Sequence, residues 1–506
     1  MTIYKRLVIS FDWLHYRYPA CAIFMLFYTP ATRNMRSRLS ILLAGVWVGV
    51  CMGTDPASAQ EIGSDTGTLS SFPTIGSSPA STNVPSETPP ASLVTAPAPP
   101  QLPPPVAPTS SLFSPVVPYG GTVSQTGEAA AALMREQNAN QPYNLRMGPV
   151  QLRAEADLTI QANDNIGLNK DGRQADLIVT PMGTLHGRYN ISDLNALTFD
   201  IGIGYQAYMF NSQYNCLLIS PDSQLNFNVF VGDCTINFHD MFSYQQDPTQ
   251  VGQLSNQVRL SRFQNDAGIS AKWDLDDYML ELAYDHSNLW VTQSVYDYLT
   301  NQSDTISPTV TWKLSETLST GLQASFSDTR YEKSFENDNT SESLGPFVKA
   351  TLSNFLSVSA AAGGFLTQYD HGGGNGDTSD VSSYYGNVGV THQMTQYLSE
   401  TLTAGKEYLP GLTSNYTQRI YVNYGDQWNA TKQIGVSANL FWENLDDSDA
   451  LFRENSNRYG LNFNISDALT DHLNVNVGYS FLLKDADPSY LSYYQNLGTL
   501  GMQYNF

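Results

Sequence analysis

Residues able to do chemistry are present in this chain, but they are scattered. His186, His239, His286, His371, His392 and His472 stand on separate segments, and no His-Glu-x-x-His pair offers a zinc site. No Gly-x-Ser-x-Gly elbow presents a nucleophile. The run Gly372-Gly373-Gly374-Asn375-Gly376 lacks the following helix and lysine of a phosphate-binding loop, so it reads as a flexible external loop. Asp446, Asp447 and Asp449 offer carboxylates to a divalent cation, yet three acids in one polar stretch are more simply a solvated loop. This inventory points away from an enzyme and predicts neither cofactor nor metal centre.

A second set of charges is better ordered. Arg153, Glu155, Asp157, Arg188, Asp200, Arg259, Glu281, Lys313, Lys349, Arg419 and Glu443 all occupy the polar positions of segments that alternate polar with apolar residues. Such a row of charges facing a water-filled interior would set the field that a passing solute meets. The competing reading is that they pair with each other inside a packed core. The two readings differ in the width of whatever encloses them.

The enclosing elements are legible as strands. Leu152, Ala154, Ala156, Leu158 and Ile160 point one way, and Arg153, Glu155, Asp157, Thr159 and Gln161 the other. Leu197 to Gln206 and Leu473 to Phe481 repeat the pattern, with a polar face of Thr, Ser, Asn, Gln and Gly rather than of dense charge. That face suits a water-filled lumen better than the outside of a soluble sandwich. Short connections recur, as in Ile191-Ser192-Asp193-Leu194, Leu314-Ser315-Glu316-Thr317-Leu318 and Met394-Thr395-Gln396-Tyr397-Leu398. Longer polar stretches lie between them, as in Glu332 to Glu342 and Leu445 to Asn457. Short turns at one end and long loops at the other describe an all-β, antiparallel, up-and-down transmembrane barrel. The segments count to eighteen strands, with one expected near residues 256–273. If the hairpin around Val231-Gly232-Asp233 were an extracellular insertion, the count would be sixteen, and Cys216 and Cys234 could then bridge. At eighteen strands the interior is too wide to fill with side chains, so a channel is favoured. Trp273, Tyr278, Trp290, Trp312, Tyr397, Trp428 and Trp442 are read as residues of the membrane–water boundary.

Composition agrees. Only 14% of residues are charged while 12% are aromatic, including 30 Tyr, against about a quarter charged in ordinary soluble domains. The formal net charge is -22, which excludes a phosphate-binding, nucleic-acid surface. Met35-Arg36-Ser37-Arg38, the apolar run to Met52 and Ala57-Ser58-Ala59 form a secretory signal peptide over 35–59. Residues 1–34 are then an upstream extension. Residues 60–144 are rich in Pro and Ser and are expected to be a disordered periplasmic linker, with one short helix around Gly127 to Asn140. The barrel is expected over 145–506.

The chain ends in Leu500, Met502, Tyr504 and Phe506 on one face of a strand. Tyr504 and Phe506 resemble the C-terminal signal that the barrel-assembly machinery of Gram-negative bacteria reads. With the Asn163-to-Ile166 strand end and Ser220-Pro221-Asp222-Ser223 opening a later strand, the rhythm from Val150 to Phe506 resembles the β-barrel porin family of bacterial outer-membrane proteins. The resemblance implies an outer-membrane location, with lipid, lipopolysaccharide and the assembly machinery as partners. It implies no substrate and carries over no functional residue. The expected role is a porin-like channel for passive diffusion of small hydrophilic solutes. The alternatives are an exopolysaccharide export barrel and a structural or adhesive surface protein.

Overall fold

The computed structural model describes residues 143–192, 195–448 and 453–506. The signal peptide, the Pro-rich segment and the expected short helix lie outside the described residues, as does Asp449.

Eighteen antiparallel strands close into one barrel. In chain order they are β1 (Val150–Asn163), β2 (Asp176–Asn190), β3 (Ala196–Tyr208), β4 (Cys216–Ile219 continued by Gln224–Val231), β5 (Cys234–Gln245), β6 (Arg262–Leu275), β7 (Tyr278–Val291), β8 (Asn301–Ser315) and β9 (Leu318–Tyr331). They continue as β10 (Asn339–Ser353), β11 (Leu356–Tyr369), β12 (Val381–Thr395), β13 (Leu398–Pro410), β14 (Tyr416–Asn429), β15 (Ile434–Asp447), β16 (Asn455–Ala468), β17 (Leu473–Asp487) and β18 (Tyr493–Asn505). Each pairs with its neighbour in sequence. Closure comes from β18 against β1, from Glu155 opposite Asn505 to Asn163 opposite Leu497. The Phe506 amide adds a last bond to the Ala154 carbonyl at 3.1 Å. Beyond that point a short strand, Leu145–Met147, takes over pairing with the start of β1 through a turn at Gly148 and Pro149. Gly148 there has φ +63°, where a side chain would be strained.

The short turns follow from a repeated local device. Ser315 Oγ accepts the Thr317 amide at 3.3 Å, Ser353 Oγ accepts the Phe355 amide at 3.2 Å, and Thr395 Oγ1 accepts the Tyr397 and Leu398 amides at 3.1 Å. Thr431 and Thr470 do the same for the amides of Ile434 and Leu473. A hydroxyl that satisfies the free amides lets the chain reverse in a few residues. The turn at Gly232 and Asp233 belongs to this side of the barrel, so the hairpin of β4 and β5 spans the wall and the sixteen-strand alternative is excluded. Cys216 opens β4 at the far end and Cys234 opens β5 beside the turn. They are free thiols a strand length apart, so the bridge the smaller barrel would have allowed does not form.

Outward positions make an apolar belt. Leu282, Ile306, Leu344, Leu440 and Val477 are 54, 47, 60, 50 and 56% exposed. A closed barrel satisfies every backbone group internally, so such a belt can face hydrocarbon. Trp273, Tyr278, Tyr397 and Trp428 border it on the short-turn side and Trp290 on the other, whereas Trp442 lies within a strand beside Asn457. Above Ile306 and Phe326 the outward positions turn polar, with Asp304, Asp328 and Arg330 in place of apolar residues. Belt and closure together make the chain a transmembrane barrel of the outer membrane, with its short turns periplasmic.

Candidate functional site

The site is the lumen, and what shapes it is a loop that sequence reasoning missed. The nine long connections are L1 (164–175), L2 (209–215), L3 (246–261), L4 (292–300), L5 (332–338), L6 (370–380), L7 (411–415), L8 (448–454) and L9 (488–492). L3 turns inward and reaches the opposite wall. Gln253 Nε2 donates to Thr417 Oγ1 at 3.1 Å, Ser255 Oγ donates to the Leu491 carbonyl at 2.7 Å, and the Asn256 amide donates to the Leu168 carbonyl at 3.0 Å. Its apolar residues Val251, Leu254 and Leu260 pack with Leu289, Val291 and Leu299, and Leu412 of L7 covers them. The strand expected from residue 256 begins only at Arg262. Arg259, expected on a strand face, therefore lies in L3, its guanidinium 5.8 Å from the Tyr214 ring.

Two buried cations seat L3. Arg458 on β16, 2% exposed, donates from Nη2 to the Thr249 carbonyl at 3.0 Å and pairs through Nη1 with Glu443. Lys484 on β17, fully buried, donates to the Gln253 carbonyl at 2.9 Å and to Ser255 Oγ at 3.0 Å, and pairs with Glu454 at 2.7 Å. The close approach depends on Gly252, where a Cβ would lie 2.6 Å from Arg458 Nη1. Neither Arg458 nor Lys484 was among the residues picked out by alternation, although each sits at an inward position of its strand.

The other sequence-predicted charges are placed as follows. Arg419 and Glu443 come together at 2.6 Å, with Glu407 on Arg419 at 2.7 Å, beneath L3. Arg153 and Glu155 pair at 2.9 Å, and His186 bridges Glu155 and Asp200. Asp157 follows on the same inward face of β1. Arg188 bonds Asn190 at 2.9 Å near the periplasmic rim, and Lys313 pairs with Asp274 at 2.6 Å. Lys349 sits 5.7 Å from the Phe347 ring, and Glu281 faces inward opposite Lys272. His239 and Asp285 meet at 2.8 Å across Gly268, whose missing side chain leaves the room. Charge of both signs lines the interior and is largely matched locally.

The glycine-rich run is not a free loop. Gly373 donates its amide to Asn337 Oδ1 at 2.6 Å, Asn337 Nδ2 donates to Asn415 Oδ1 at 2.7 Å, and the Asn415 amide donates to Asp377 Oδ2 at 2.9 Å. L5, L6 and L7 are thereby tied together, and Ser448 of L8 joins through Asp377. Asp446 and Asp447 end β15 rather than lying in a mobile loop; Asp446 holds Arg453 at 3.0 Å and Asp447 accepts from Thr417 at 2.5 Å. Among the described residues no group of three or more His, Cys, Asp or Glu is placed to hold a metal ion.

Glu336 in this knot has Asn375 Nδ2 as a partner at 2.9 Å and lies near the Asp377 carboxylate. Burial, reinforced by Asp377, pushes its carboxyl up to about 8. The sign follows from linkage. In the open loop the group ionises near 4.5, and in the knot not until about 8. The knot is thus strongest below pH 4.5, loosens as pH rises through that window, and loses nothing further above 8. Glu336→Gln should flatten the dependence. Hydrogen exchange of L5 and L6 between pH 5 and 9 checks this; equal slopes for the two proteins would refute it.

No family model matches the chain, and no curated protein does. Solved structures similar to it include the outer membrane protein OpdK from Pseudomonas aeruginosa, with 9% identity over 70% of this chain and 98% of that one and a TM-score of 0.40. OpdQ from the same organism has 11% identity over 71% and 98%, with a TM-score of 0.42. Acinetobacter baumannii OccAB3 has 11% identity over 70% and 99%, with a TM-score of 0.42.

Proposed function

We propose that the protein is an outer-membrane channel through which small hydrophilic solutes diffuse passively, narrowed by L3. The observation that carries this reading is the inner face of eighteen strands, mostly polar, with apolar residues such as Leu289 and Val291 packed under L3, and too wide to be filled by side chains alone. A loop seated across such a lumen sets size and field without closing a packed core. Export of an anionic polysaccharide would ask for an excess of cations along the path. The inward cations Arg153, Arg419, Arg458 and Lys484 are instead matched by carboxylates. The reading assigns no enzymatic step. Its partners are lipid around the belt, lipopolysaccharide beside the outward Asp304, Asp328 and Arg330, and the assembly machinery at Tyr504 and Phe506.

The test is reconstitution of the full chain in planar bilayers with potassium chloride. Stable single-channel steps with weak ion selectivity are expected. Absence of steps in protein that is heat-modifiable on gels, and so folded, would reject the channel.

A further inference from the structure

The charged and uncharged residues of the lumen are segregated. Carboxylates and cations crowd β1–β7 and β14–β17, and those of β14–β17 are committed to one another and to L3. The polar anchors of L3 described above, Thr417, Arg458 and Lys484, lie on β14, β16 and β17. The inward face of β8–β12 is different. Between Lys313 and Lys349 near the periplasmic turns and the loops above, it carries no charged residue.

That wall is built of hydroxyls. Ser303 Oγ lies 2.9 Å from Ser327 Oγ and 3.1 Å from Thr329 Oγ1, Thr305 Oγ1 lies 3.0 Å from Ser327 Oγ, and Ser341 Oγ lies 2.9 Å from Thr367 Oγ1. A hydroxyl both donates and accepts, so the half-buried Ser327 and Ser341 and the exposed Ser357 and Ser359 retain capacity for a further partner, whereas Ser303, Thr305, Thr329 and Thr367 are buried behind them. Several rings interrupt them, among them Phe347, Tyr385 and Phe365, the last 8% exposed and stacked on Tyr408 at 5.3 Å. Tyr385 on β12 lies along the wall over Gly363 of β11, where a Cβ would come within 2.6 Å of its Cε1, and Gln323 Nε2 donates to its hydroxyl at 3.3 Å. The ring is half-buried. Other inward rings are less free: Phe347 is 8% exposed, and Arg419 stands 4.7 Å from the Tyr421 ring.

We propose that β8–β12 form a track for neutral polyhydroxylated solutes, small carbohydrates, with Tyr385 as the platform on which a sugar ring stacks and Gln323 as its polar neighbour. This rests on the channel reading above. A sugar exchanges hydrogen bonds with water for equivalent bonds with the wall, so many weak sites succeed one another, as conduction requires. The C–H face of a pyranose covers an aromatic face that water hydrates poorly. An ion finds no opposite charge on this wall to offset the hydration it loses in approaching it.

Swelling of vesicles loaded with the full chain tests the idea with three solutes of similar size: glucose, sodium glucuronate and arginine hydrochloride. Glucose should enter faster than either ion, by about threefold for weak, multi-site binding. Tyr385→Ala and, separately, Gln323→Leu should remove that advantage while potassium chloride conductance persists, which reports a folded channel. Tyr385→Phe should keep it. Equal rates for all three solutes, faster entry of an ion, or an unchanged glucose advantage in both Tyr385→Ala and Gln323→Leu would overturn the track and leave the channel standing. No current and no swelling with any solute would overturn the channel reading, and the track with it.

Discussion

Replacing Arg458 by leucine should unseat L3 and raise single-channel conductance, the largest functional change expected from any single side chain here. Arg458 is 2% exposed and links Glu443 to the Thr249 carbonyl of L3. Removing one partner of a buried ion pair typically costs about 3–5 kcal/mol, because the other charge is left without compensation. Here Glu443 retains Arg419 at 2.6 Å, so the wall is protected and much of the loss should fall on the loop. Lys484→Met in the same background should loosen L3 further by removing the bonds to the Gln253 carbonyl and Ser255 Oγ, leaving Gln253 on Thr417 and Ser255 on Leu491. Bilayer recordings should show a larger conductance for the single variant and a further, noisier increase for the double. Unchanged conductance in both would mean that the apolar packing of Val251, Leu254 and Leu260 seats L3 alone. Loss of heat-modifiable protein would place the two cations in the stability of the wall.

The wall itself was legible because a strand writes its two faces into alternate residues. The eighteen strands of the closed barrel follow that alternation. The turns were legible because Ser315, Ser353 and Thr395 do their work within two or three residues. L3 was not, and the reason is physical. Gln257-Val258-Arg259-Leu260 alternates as a strand does, but alternation records only that one face is apolar, not whether lipid or a loop cluster covers it. Leu260 is fully buried, against Leu289 and Leu299, which lie 29 and 39 residues on in the sequence. Gly372 to Gly376 misled in the same way. Five small residues look free until Asn337 and Asn415, from two other loops, are brought to them. The pairing of each charge was equally out of reach. Parity fixes the face, while the partner depends on register between strands.

Val475→Arg and Asn476→Arg, one residue apart, should have opposite consequences. On β17, Val475 and Val477 belong to the outward set and pair with Met502 and Leu500 of β18, so an arginine at 475 meets hydrocarbon. The cost is about 2–4 kcal/mol at the midplane and falls towards the interface. Position 475 lies near the periplasmic end of the strand, so snorkelling of the long side chain should reduce the defect somewhat. Asn476 faces the lumen, its Nδ2 at 3.4 Å from Asn464 Oδ1 beside Gly501. An arginine there enters water and should fold almost normally. It adds a fixed positive charge to a lumen whose own charges are largely matched, so the reversal potential under a salt gradient should move towards anions. Refolding yield into vesicles separates the first effect from the second, and recordings on the folded fraction measure the second. Equal folding defects would show that β17 is packed on its inner face as tightly as on its outer one. A folded Asn476→Arg with the wild-type reversal potential would show that this part of the wall lies outside the conducting path.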